Sequence, residues 1–101
     1  MEAPRLPAAL DPRRTALLVV DMQHGFLSPG GSIARLGLPI GRTGATVEPA
    51  SRLVAAFRAA GAPVLFTQTV FRADYADAGL QAERFPPLAA LGHLVDGSAD
   101  A

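Results

Sequence analysis

Two short apolar runs frame the front half of the chain. Residues 15–20 read Thr-Ala-Leu-Leu-Val-Val and stop at Asp21; Val64-Leu65-Phe66 follows Pro63 and stops at Thr67, Gln68 and Thr69. Each run is short, continuous and partly β-branched, the pattern of a strand buried on both faces of a parallel sheet. Between them the period changes. Ala50, Leu53, Val54, Phe57 and Ala60 share one helical face, with Arg52 and Arg58 largely outside it. Pro49 suits a first helical turn, Thr46 or Glu48 stands where a cap is needed, and Gly61 sits where a helix stops. The spacing predicts a helix over 47–60. Residues 24–44 carry six glycines (25, 30, 31, 37, 41, 44) and two prolines (29, 39), which predicts a long surface loop. Residues 1–14, with Pro4, Pro7 and Pro12, form a lead-in without apolar period. A short helix is expected within 73–84, broken by Pro86 and Pro87, and another turn over 88–94.

Strand, loop, helix, tight turn and strand make a βαβ unit, so the two strands run parallel and end on the same sheet edge. Asp21 and Thr67/Gln68 meet there, at the edge where open α/β sheets bind ligands. The division expected is a lead-in over 1–14 and one domain portion over 15–101. A physical difficulty follows. Two strands and one long helix cannot cover both faces of such a sheet, and its strand edges stay open to association. The chain is therefore expected to be a truncated domain, finished by further polypeptide.

Composition narrows the chemistry. Half of the 101 residues are apolar and 18% are charged, a globular balance. The formal charge is zero and the nine basic residues are scattered, leaving no electrostatic footprint for nucleic acid or an anionic membrane. The apolar patch near the N-terminus is too brief for a signal peptide, and the run at 16–20 falls far short of the ~20 residues that span a bilayer. A cytoplasmic location is the expectation. All nine basic residues are arginine, and the chain has neither lysine nor cysteine. Thiol chemistry by these residues alone is excluded.

Asp21 is the sharpest candidate, with Gln23 two positions on. In extended backbone these positions face the same side, setting a carboxylate beside a carboxamide. The pair reads equally as a base with an orienting group or as an aspartate capping the following loop. A haloacid-dehalogenase-type phosphatase needs a second aspartate where Gln23 stands, and a phosphoryl-accepting receiver domain needs a later lysine.

The stretch Thr15-Ala16-Leu17-Leu18-Val19-Val20-Asp21-Met22-Gln23, with Phe26 after it, resembles the opening strand of the isochorismatase-like cysteine hydrolases. The resemblance continues through Pro29-Gly30-Gly31, through Phe57-Arg58-Ala59-Ala60-Gly61 and through Val64-Leu65-Phe66-Thr67-Gln68. It ends at the glycine-serine turn in Val95-Asp96-Gly97-Ser98, so that it covers about residues 13–101. The Pro-Gly-Gly loop and the long insert are similar to amidohydrolases acting on ureido or carbamoyl substrates, such as ureidoacrylate or biuret hydrolases. The resemblance implies a Rossmann-like three-layer α/β/α sandwich with a mostly parallel sheet, present here in part. It also implies an Asp-Lys-Cys triad hydrolysing a small amide-type substrate through an acyl-enzyme. By the motif match Asp21 is the general base and Gln23 its auxiliary partner. The lysine and cysteine belong to later strands, so the chain alone is expected to be inactive. The implied partner is a complementary C-terminal chain or a second copy; no cofactor is implied. A non-catalytic half-domain serving as an assembly partner is the alternative.

Phe26, Phe71 and Tyr75 stand where they could line a substrate pocket or pack in the core. Arg72 could grip a substrate carboxylate or carbamoyl oxygen, or simply be solvated. Nicotinamidase-type relatives place metal-binding histidines after the second strand, where this chain has none, so no metal is expected. His24 reads as a surface loop residue, and His93 as exposed or packed in a weakly structured tail.

Overall fold

The computed structural model describes residues 7–101. The first six positions of the lead-in expected over 1–14 lie outside the described residues. Residues 7–14 form two tight turns, closed by Leu10 N–H to the Pro7 carbonyl and Arg14 N–H to the Asp11 carbonyl, each at 3.0 Å.

The apolar runs form β1 (Leu17–Val20) and β2 (Val64–Thr67). They pair in parallel with Leu17 opposite Val64 and Val20 opposite Thr67, so their C-terminal ends share one edge, as the crossover logic requires. Four one-turn helices, α1 (His24–Leu27), α2 (Ser32–Arg35), α3 (Gly41–Gly44) and later α5 (Gln81–Arg84), accompany the longer α4 (Val47–Ala59) and a short α6 (Pro86–Ala90). An isolated parallel bridge joins Phe71 to Val95.

The helix α4 ends as its sequence predicts. Gly61 takes φ +74°, its N–H bonds the Arg58 carbonyl and the Ala62 N–H bonds the Phe57 carbonyl, both pairs of a Schellman stop. Its start differs. Neither Thr46 nor Glu48 caps it: Thr46 is itself helical and its hydroxyl donates to the Thr43 carbonyl, because α3 runs almost directly into α4. Residues 24–44 also differ from the expected surface loop. Three short helical turns form there, and Gly25, Gly31 and Ser32 are buried.

Alternation along the strands divides the sheet into two faces. Val19 is buried, and Leu17 and Val64 are half-buried, on the face that α4 packs against; the Arg58 guanidinium lies 5.9 Å from the Phe66 ring there. On the other face Leu18, Val20 and Leu65 are 58%, 57% and 52% exposed, and no element covers them among the described residues. The two-sided burial expected from the unbroken apolar runs is thus realised on one side only, and there in part, since Phe66 stays 60% exposed. One small core gathers Val19, Ala56, Phe57 and Ala62; a second gathers Phe71 and Leu94 around His93. No helix among the described residues is long and apolar enough to cross a membrane.

Candidate active site

Asp21 sits half-buried at the tip of β1, beside the last residue of β2. Its backbone leaves the strand in the left-handed region, φ +52°. Its carboxylate is held on both oxygens. The Thr67 hydroxyl donates to Oδ1 at 2.8 Å, and the Thr69 hydroxyl donates to Oδ2 at 3.1 Å. The Asp21 N–H in turn reaches the Thr67 hydroxyl oxygen at 3.0 Å and its carbonyl at 3.2 Å. An ionised carboxylate has about four acceptor positions; the two hydroxyls leave room for an incoming proton donor.

Gln23 is buried, and both polar atoms of its amide bond the backbone of one residue, Thr69. Nε2 donates to the Thr69 carbonyl at 2.7 Å and Oε1 accepts the Thr69 N–H at 2.9 Å. The side chain imitates one more rung of the parallel ladder past the end of the strands. The left-handed turn at Asp21 breaks the extended geometry assumed for positions 21 and 23. They come together because both grip Thr69.

The other candidates lie elsewhere. Phe26 meets His93 edge-on with ring centres 5.5 Å apart, and Phe71 lies 5.7 Å from Tyr75 and 6.3 Å from His93. The Tyr75 hydroxyl donates to the His93 carbonyl at 2.8 Å. These three aromatics pack around one histidine. Arg72 is exposed, its N–H held by the Asp77 carboxylate at 2.9 Å. His24 is exposed, with Nδ1 2.6 Å from the Ser28 hydroxyl. A groove of about 630 Å³ opens between α1, α4 and the strand ends, bordered by Met22, Leu27, Val54 and Phe66; Asp21 does not line it.

A second polar cluster, Ser32, His93 and Asp100, joins parts of the chain far apart in sequence. Asp100 Oδ1 accepts the Ser32 N–H, and Oδ2 accepts the Ser32 hydroxyl and the Leu94 N–H, at 2.8, 2.7 and 2.8 Å. Because that hydroxyl spends its one proton on the carboxylate, it accepts from His93 Nδ1 at 2.5 Å, which fixes a proton on Nδ1. Burial alone pushes the Asp100 carboxyl up, but the Ser32 hydroxyl, the Leu94 and Ser32 amides and His93 together hold it below the ordinary value. Burial pushes the His93 imidazole down against the smaller upward pull of Asp100. Tyr75 is raised by burial and then by the Asp100 charge.

These residue types suggest a serine triad, but the order is wrong: in a triad the imidazole stands between serine and carboxylate and takes the serine proton. Here the hydroxyl stands between the other two, and Ser32 has no exposed surface. The cluster is a clasp fastening α2 to the segment 93–100. Ser32 and Asp100 carry no sequence signal that links them across 68 positions, and His93 gave only the choice between exposed and packed. Among the described residues no group of His, Asp or Glu side chains gathers to hold a metal ion.

Comparison with known proteins places the chain in a family. The family model described as the isochorismatase domain matches residues 15–99. The ureidoacrylate amidohydrolase RutB of Methylobacterium radiotolerans is 47% identical over 73 residues, covering 72% of this chain and 28% of that protein. The enzymes of the same name from Pseudomonas syringae pv. syringae and Azorhizobium caulinodans are 40% and 38% identical, over 72% and 73% of this chain and 30% and 35% of their own lengths. The chain thus spans about a third or less of these relatives. With the family model matching from the start of the first apolar run to the turn before Asp100, this chain belongs to the isochorismatase family.

Proposed function

We propose that residues 15–101 supply the general base, Asp21, of an amidohydrolase-type cysteine hydrolase, while further polypeptide supplies the thiol and the lysine. The observation that carries this reading is the Asp21 carboxylate, held on both oxygens at the ligand-binding edge of a parallel sheet. In the reaction Asp21 takes the proton of an incoming thiol, the thiolate attacks the carbonyl of a small amide, ureido or carbamoyl substrate, and water then hydrolyses the acyl-enzyme. The lysine stabilises the charge that develops on the carbonyl oxygen. Gln23 serves the base indirectly, since both polar atoms of its amide bond the Thr69 backbone and neither bonds the Asp21 carboxylate. Arg72, exposed beyond β2, is the candidate to grip a substrate carboxylate. Phe26, Phe71 and Tyr75, packed around His93, are the candidates to line the substrate pocket. Names of the relatives favour a ureido substrate.

The chain has no cysteine and no lysine, so by itself it is expected to release no ammonia from ureidoacrylate above background. Mixed with a complementary segment that carries both residues, it is expected to do so. Asp21→Asn should lower that rate by about 10²–10⁴-fold; asparagine tolerates the left-handed backbone, so the fold is kept. Equal rates for the two would remove Asp21 from the mechanism.

The exposed Leu18, Val20 and Leu65 favour a second reading, a half-domain whose role is assembly. A cooperatively melting homodimer by sedimentation, with no activity on complementation, would support it over the first.

A further inference from the structure

The Asp21 carboxylate is not a free rotor, and its restraint has a particular construction. The Thr67 hydroxyl accepts the Asp21 N–H at 3.0 Å and donates its single proton to Oδ1 at 2.8 Å, closing a ring through the backbone and side chain of one residue. That ring holds Asp21 at φ +52°, in the left-handed region that glycine, asparagine and aspartate enter most readily. The Thr69 hydroxyl fixes the other oxygen at 3.1 Å. Thr69 lies past the end of β2, where no backbone ladder holds it, and the Gln23 carboxamide takes the ladder's place with both of its polar atoms. Three side chains thus aim one carboxylate.

We propose that Thr67 and Thr69 are positioning residues for the Asp21 carboxylate, and that Gln23 acts on it only through Thr69. A base must lie within hydrogen-bond reach of the proton it abstracts, and a displacement of about 1 Å can cost on the order of 10²-fold in rate. The two hydroxyls hold the carboxylate in one orientation before any thiol arrives. This step rests on the reading of Asp21 as a base, although the clamp itself is testable without it.

Two measurements separate them. On the chain alone, three-bond couplings to the Asp21 β-protons should report a single χ1 rotamer in the native protein and in Thr67→Ser. In the Thr67→Val/Thr69→Val double variant they should report averaged rotamers. In the complemented pair, Thr67→Val should lower kcat about tenfold or more while KM stays within about twofold, and Thr67→Ser should restore kcat. Gln23→Ala should shift the couplings as far as Thr69→Val alone does and no further, since it acts through Thr69. If valine at these sites prevents folding, Thr67→Ala/Thr69→Ala with the same readings replaces the double variant and Thr67→Ala the kinetic one; position 67 is exposed and position 69 half-buried, so neither leaves a fully buried void. A single Asp21 rotamer in the double variant, or an unchanged kcat in Thr67→Val where Asp21→Asn is inactive, overturns the proposal. An active Asp21→Asn overturns the base and leaves the rotamer measurement to decide the clamp.

Discussion

Asp100 shows how much one side chain decides in a chain with so little core. It accepts the Ser32 N–H, the Ser32 hydroxyl and the Leu94 N–H, and its own carbonyl accepts the Gly25 N–H at 2.8 Å. Asp100→Ala strands two buried amides and a hydroxyl, each worth roughly 1–3 kcal/mol when left without a partner. Against a total stability of about 5–15 kcal/mol for ordinary domains, the loss should be visible as a fall of about 3 kcal/mol or more in urea unfolding. The clasp also sets a pH dependence. His93 is harder to protonate in the fold than in the unfolded chain, so stability is lost as pH falls below its ordinary 6.5. Asp100 is easier to ionise in the fold, so its contribution is complete above 3.8 and is lost as pH falls through and below that value. Both act in one direction. The urea midpoint should drop between pH 7 and 5, and His93→Gln should flatten that first part of the drop. At this scale the place of Asp21 at the strand tip was legible, because the apolar run stops there in the sequence. Thr69, Ser32 and Asp100 were not, because their significance lies in the partners that folding brings to them.

The elements divide along the same line. α4 was legible at its C-terminus, where Gly61 supplies the left-handed residue that a Schellman stop requires. Gly61→Ala should destabilise the chain by about 1–2 kcal/mol, read as a lowered melting temperature with unchanged helix content at 20 °C. The glycine-rich stretch 24–44 was read as loop from propensity alone, and long-range contacts overrode it. Gly25 lies so close to Asp100 and Leu94 that a side chain there has no room, and Ser32 begins α2 with its N–H and hydroxyl both on Asp100. Glycine here permits close packing of a helical turn instead of preventing the turn.

At the scale of the whole molecule the uncovered sheet face dominates. The Cα radius of gyration is 16.6 Å, against about 13 Å for a compact domain of this length. Leu18, Val20 and Leu65 remain more than half exposed, and covering each would contribute on the order of 1–2 kcal/mol. Such a face beside an open strand edge drives association. Leu18 and Leu65 are register partners, so Leu18→Lys with Leu65→Glu places opposite charges across the strands. The native chain should associate with rising concentration in sedimentation, and this variant should stay monomeric over the same range and fail to complement a cysteine-bearing segment.

The sequence by itself determined the parallel strand pair, the long helix between them, the aspartate at the shared edge and the absence of any thiol or lysine. These follow from local period and from composition, which need no knowledge of distant contacts. The tertiary structure alone decided the left-handed turn at Asp21, the threonine hydroxyls on its carboxylate, the engagement of Gln23 and the Ser32–His93–Asp100 clasp. Each of those joins positions at least 46 residues apart, or depends on such a join, and hydrogen bonds across that separation leave no periodic trace in the order of residues.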